Sequence, residues 1–128
     1  MPETAVVFYR DEKAIPVLEW LTDLKKKDRQ AYAKCVARIR LLSQLGHELR
    51  RPLADYLEQG IYELRIRRGR VNYRILYFFH GQEVGVLAHA ITKEAEIPRA
   101  DLARAIDRKQ KFEGDPNRHA HEGDLTNG

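Results

Sequence analysis

A chain of 128 residues and 14.9 kDa has the length for one core and one domain. Its net charge of +4 and pI of about 9.3 accommodate nucleic acid without requiring it. The single cysteine, Cys35, excludes an intramolecular disulfide, and the longest apolar run, Ile75 to Phe79, is far too short to span a bilayer.

Met1-Pro2-Glu3-Thr4 lacks the basic start and long apolar run of a signal peptide, so a soluble cytoplasmic protein is expected. Ala5 to Tyr9, β-branched and aromatic, predicts a first strand. Ile15 to Lys26 has helical spacing, with Val17, Leu18, Leu21 and Leu24 on one stripe and Pro16 in the first turn. Lys25, Lys26 and Lys27 suit the negative end of that helix. Asp28 then caps a second helix with the stripe Tyr32, Cys35, Val36, Ile39, Leu42 and Leu45, and Gly46 stops it. Cys35 on that stripe reads as packing.

Residues 47–60 read as a connection, broken by Pro52 and closed by a turn at Gln59-Gly60. Ile61 to Arg67 alternates, with Tyr62, Leu64 and Ile66 on one face and Glu63, Arg65 and Arg67 on the other. Arg68-Gly69-Arg70 turns the chain into a long strand, Val71 to Phe79. His80-Gly81-Gln82 turns it again into Glu83 to Ile91, giving an antiparallel meander. Pro98 opens a last helix with Leu102, Ala105 and Ile106 on its apolar side. The expected fold is α+β, with two N-terminal helices on a small antiparallel sheet and a C-terminal helix. The folded domain is expected over 1–112, with 113–128 a disordered tail because no apolar period survives there.

Five arginines, Arg65, Arg67, Arg68, Arg70 and Arg74, fall within ten residues that hold no acid. Arginine offers a planar fork of donors suited to phosphate oxygens. Tyr62, Tyr73 and Tyr77 interleave with them as stacking partners for bases wherever they are exposed. The same cluster also suits a solvated hairpin edge that deters edge pairing. Arg65 and Arg74 stand inside strand patterns, where arginine is disfavoured unless the face is wet or the residue has work to do. His89, between Ala88 and Ala90, is either a hydrogen-bonded core histidine or an acid–base group. No phosphate loop, Ser-His-Asp set or metal-ligand pattern is present, so no metal or cofactor is expected.

The run Gly60-Ile61-Tyr62-Glu63-Leu64-Arg65, then Tyr73-Arg74-Ile75-Leu76-Tyr77-Phe78-Phe79, continues through Leu87-Ala88-His89-Ala90-Ile91-Thr92-Lys93 to Ile97-Pro98. In that order and spacing it resembles the phage-derived, HigB-like branch of the RelE toxin superfamily, and the likeness takes in most of residues 5–112. The resemblance implies a toxin of a type II toxin–antitoxin system, an endoribonuclease that cleaves messenger RNA on the ribosome. It further implies a HigA-like antitoxin as the inhibiting partner, and no membrane. It implies roles for Arg74 at the scissile region, for Arg65 in the preceding strand and for Lys93 after the last strand. Glu63 stands where RelE has a lysine, and Glu94 and Glu96 stand where the HigB-like branch carries lysines.

On this reading Arg65, Arg74 and Lys93 stabilise the charge of a phosphorane. Glu63 and His89 are the candidates for proton transfer, and Arg67, Arg68, Arg70 and Tyr73 bind RNA. Two other readings fit the same residues: a toxin of this fold acting on a protein such as a topoisomerase, and a degenerate module that binds RNA or antitoxin only.

Overall fold

The computed structural model describes residues 4–92 and 96–123. Its elements run β1 (Ala5–Tyr9), α1 (Pro16–Lys27), α2 (Arg29–Leu45), β2 (Ala54–Glu58), β3 (Ile61–Arg68), β4 (Val71–His80), β5 (Val84–Thr92), α3 (Arg99–Gly114), α4 (Pro116–His119) and β6 (Ala120–His121).

One residue both ends α1 and begins α2. The Asp28 backbone is extended, its N–H donates to the Leu24 carbonyl, and its carboxylate accepts from the Ala31 N–H. At the far end, Gly46 has φ of +54°, and a side chain there would collide with the Thr4 hydroxyl. Glycine is therefore required at this stop for conformation and for space.

The strands form one six-stranded sheet in the order β2-β3-β4-β5-β1-β6. β2 to β5 are an antiparallel meander, as expected for β3 to β5, but β1 lies parallel to β5, Ala5 facing Val84 and Phe8 facing Leu87. The sheet is therefore mixed, which corrects the expectation of an antiparallel one. Val7, Phe8 and Tyr9 are all buried. That continuous apolar run is the mark of a strand covered on both faces, which an α-helical crossover delivers beside a parallel neighbour. Helices accordingly cover both faces. α1 and α2 pack on Phe8, Leu64, Tyr73, Ile75, Tyr77 and Leu87, whereas α3 packs on Leu76, Phe78, Val86 and Ile91 through Leu102, Ala105 and Phe112.

Two further expectations are corrected. The connection over 47–60 contains β2, an edge strand whose Asp55 and Glu58 masked its alternation, since acids are rare in strands yet common on sheet edges. The tail is not disordered through residue 121. α3 runs to Gly114, Asp115 caps α4, and β6 pairs with β1 through Phe8–His121 and Tyr9–Ala120. His119 lies flat on Tyr9 at 5.4 Å between ring centres, and its Nδ1 donates to the Arg10 carbonyl at 2.8 Å. A sheet edge orders this segment through backbone hydrogen bonds, a signal that apolar periodicity does not carry. Among the described residues no helix is long and apolar enough to cross a membrane.

Candidate functional site

Strand alternation places Glu63, Arg65 and Arg67 on the face that α3 covers only in part. In the β3–β4–β5 register, Arg65 faces Arg74 and Arg74 faces Ile91; in the next row Glu63 faces Leu76 and Leu76 faces His89. Arg65 and Arg74 are thus directly opposed on neighbouring strands of one face. Like charges in that position repel. Glu63, only 3% exposed, offsets this: its Oε1 accepts from Arg65 Nε at 2.7 Å and lies 3.7 Å from Arg74 Nε.

The arginines stay accessible, with side chains 41% (Arg65) and 18% (Arg74) exposed. Arg65 Nη2 also lies 3.4 Å from Asp55 Oδ2, and Asp55 is held by Arg51 at 2.9 Å. Arg51 beside it is the main reason that the Asp55 carboxyl lies below the usual carboxylate range. The Arg65 carbonyl accepts from Arg38, so its backbone is tied to α2. Around the pair lies an open depression of about 450 Å³, lined by Glu58, Glu63, Glu96, Arg65, Arg74 and Arg99. Among the described residues three carboxylates face three guanidiniums, an arrangement that fixes directions. Arg99 is itself paired with Glu58 at 2.6 Å.

His89 shares the face but is otherwise engaged. Its Nε2 is 2.5 Å from Asp101 Oδ1, and its Nδ1 is 3.2 Å from Arg108 Nη1, which also donates to the Ala88 carbonyl at 2.6 Å. That pattern assigns a neutral ring with Nε2–H donating to Asp101 and Nδ1 accepting from Arg108. Burial, together with Arg108 and Arg104, holds the imidazole below its ordinary 6.5 despite Asp101. Both nitrogens are used, so the expected acid–base role of His89 does not fit.

Because the folded value is depressed, the unfolded chain takes up this proton first. His89 therefore contributes stability above pH 6.5 that is lost as pH falls through 6.5 towards the lower folded value. His89→Gln is expected to flatten that part of a melting-temperature profile measured from pH 8 to pH 5. An unchanged slope would show that the ring is not held neutral.

The remaining expected RNA contacts scatter. Arg67 is exposed on the Arg65 face, with Nε donating to the Gly69 carbonyl at 3.0 Å. Arg70 is exposed in the turn that follows. Arg68 points to the other face, where Nε meets Asp28 at 2.9 Å and extends the cap of α2. Tyr73 is also on that face, 5% exposed against Trp20, so it cannot stack on a base; an aromatic in a strand reads alike as core or platform, and here it is core. Glu63 is an anchor between guanidiniums, which does not fit a free general base. Cys35 is buried, its thiol pushed up to about 12, so it is no nucleophile. Lys93 and Glu94 lie outside the described residues.

Sequence reasoning missed Asp55, Arg99, Asp101 and Arg108. Asp55 carried a weak signal in the Ala54–Glu58 alternation, whereas the other three come from α3, which no spacing tied to β3 or β5.

A family profile described as phage-derived Gp49-like protein (DUF891) matches residues 19–110. The chain belongs to this Gp49-like family. It is a family of RelE- and toxin-like proteins. The match spans every candidate residue from Asp55 to Arg108 in this Gp49-like protein, and leaves out β1, α4 and β6, which build the opposite sheet edge. No curated protein matches the chain.

Proposed function

We propose that this Gp49-like protein is a toxin of the HigB-like, RelE type that cleaves messenger RNA on the ribosome and is silenced by a cognate HigA-like antitoxin. The observation that carries this reading is the opposed pair Arg65–Arg74, fixed on an accessible sheet face by one buried carboxylate. Burying Glu63 to hold two like charges together does little for stability, since desolvation offsets the attraction. Such an arrangement has a use where charge must be met in a set direction.

In the proposed reaction the scissile phosphodiester lies over Arg65 and Arg74. Each guanidinium donates to a non-bridging oxygen, and both gain strength as the 2′-oxygen, giving its proton to water, attacks phosphorus and the phosphorane gathers charge; the bond from phosphorus to the 5′-oxygen then breaks, leaving a 2′,3′-cyclic phosphate and a 5′-hydroxyl that takes its proton from water. Glu63 positions them. Lys93, which follows Thr92 in the sequence, adds a further positive charge in this scheme, and Arg67 and Arg70 guide the flanking strand. With His89 and Glu63 both occupied, the protein's main contributions are charge and positioning, and the ribosome presents the RNA in a reactive geometry.

One observation favours a second reading. Among the described residues, Glu58, Glu96 and Arg99 offset the charge of the site, which suits a protein that binds an antitoxin or RNA without rapid turnover.

Induction without an antitoxin separates these. Growth arrest with new 5′ ends in ribosome-bound transcripts is expected. Arrest with intact transcripts and DNA-damage signalling would transfer the activity to a protein target, and no arrest at all would leave the binding module.

A further inference from the structure

The second cavity that bears chemistry lies on the other face of the sheet, beyond the end of α2. It measures about 420 Å³ and is lined by His47, Leu49, Arg50, Arg51, Tyr56 and Tyr62, among others, a size that holds a ring system. Its wall is aromatic. Tyr56 meets Tyr62 edge-on at 5.0 Å, Tyr62 meets Phe79 edge-on at 5.2 Å, and His47 lies over Phe79 at 3.6 Å. Tyr56 is 51% exposed, one of two large apolar side chains so placed among the described residues. It is nonetheless held still, because its hydroxyl accepts from the Gly60 N–H at 3.0 Å. An exposed ring in a fixed orientation, with the exposed guanidiniums of Arg50 and Arg51 beside it, has the chemistry of a nucleotide platform: stacking for a base and forked donors for a phosphate.

We propose that this cavity binds a nucleobase of single-stranded RNA, stacked on Tyr56, in the same strand whose phosphodiester lies over Arg65 and Arg74. The proposal rests on the RNA-cleaving reading. β2 is the edge of the sheet, and its neighbouring residues Tyr56 and Asp55 face opposite sides. A run of charge rounds that edge: Arg51 to Asp55 at 2.9 Å, Asp55 to Arg65 at 3.4 Å, Arg65 to Glu63 at 2.7 Å. Tyr56 borders both cavities, and Asp55 links Arg51 of the first to Arg65 of the second around the edge. A flexible single strand can turn over that edge, with its base on one face and its scissile phosphate on the other. A duplex is too stiff and too wide.

The test uses the full chain and a short 2′-O-methylated oligoribonucleotide, which cannot be cleaved, carrying 2-aminopurine at each position in turn. Quenching at one position is expected, with chemical-shift changes at His47, Tyr56 and Tyr62. Tyr56→Ala should weaken binding about tenfold or more and abolish the quenching, whereas Tyr56→Phe should keep affinity within roughly threefold. Because Tyr56 is half exposed, the melting temperature of either variant should barely move. Should Tyr56→Ala misfold, the shift map of the unaltered protein decides alone. No binding, no quenching, shifts confined to the Arg65 face, or equal affinity of Tyr56→Ala would each overturn the proposal. Tyr56-dependent binding without any transcript cleavage in cells would sink the nuclease reading and leave the base site standing; cleavage indifferent to Tyr56 would do the reverse.

Discussion

Replacing Arg74 by alanine is expected to lower ribosome-dependent cleavage about a hundredfold, the usual cost of removing one preorganised donor from a site of developing charge. Arg65→Ala should cost a similar factor. The fold should survive both changes. Glu63 keeps a guanidinium in either variant, Arg65 Nε at 2.7 Å or Arg74 Nε at 3.7 Å, and the sheet beneath is fixed by Leu76, Ile91 and Leu102. Arg74→Lys is the discriminating control. It retains charge but loses the fork, so it should recover only part of the rate. Full recovery would mean that the site needs only a positive field, and unchanged cleavage in both alanine variants would move the chemistry elsewhere. Circular dichroism and melting temperature check that the loss is not unfolding.

The second large effect is on stability. Phe112→Ala is expected to cost about 3–5 kcal/mol, as for other buried aromatic truncations. Phe112 sits near the end of α3, edge-on to Phe78 at 5.5 Å and to His80 at 5.2 Å. It is the last anchor before the chain turns through α4 to β6. Loosening it frees Arg108 and Asp101 from His89 and weakens the wall of the Arg65–Arg74 depression. Phe112→Leu fills most of the space and should cost less than about 1.5 kcal/mol. Denaturant unfolding of the two variants checks this ordering. A Phe112→Ala loss below about 1 kcal/mol would show that α3 is held mainly by its polar contacts.

Much of the architecture was legible because period and punctuation agree. Val17, Leu21 and Leu24 mark α1, Asp28 and Gly46 bound α2, and Gly69 and Gly81, both at positive φ, turn the meander where the sequence places its breaks. What failed was long-range. Ala5–Tyr9 reads as a strand, but nothing local says that it lies parallel to β5. β6 owes its order to β1, a hundred residues earlier in the chain. The candidate site divides in the same way. The placement of Glu63, Arg65 and Arg74 on one face, with the two arginines opposed, follows from alternation and hairpin register, both readable from Ile61 to Phe79. The groups that decide which of these residues is occupied, Asp55 for Arg65 and Asp101 with Arg108 for His89, come from distant elements. Tyr73 shows the limit of composition, since its ring serves the core against Trp20.

The most direct measurement of the central proposal uses purified components. Ribosomes programmed with a defined messenger are incubated with the protein, with Arg74→Ala or with no addition, and the 5′ ends of the RNA are mapped by primer extension. The unaltered protein should produce discrete new ends within the ribosome-bound stretch, lost on removal of ribosomes and about a hundredfold slower to appear with Arg74→Ala. Intact messenger at protein excess, or ends that form equally with Arg74→Ala, would contradict it.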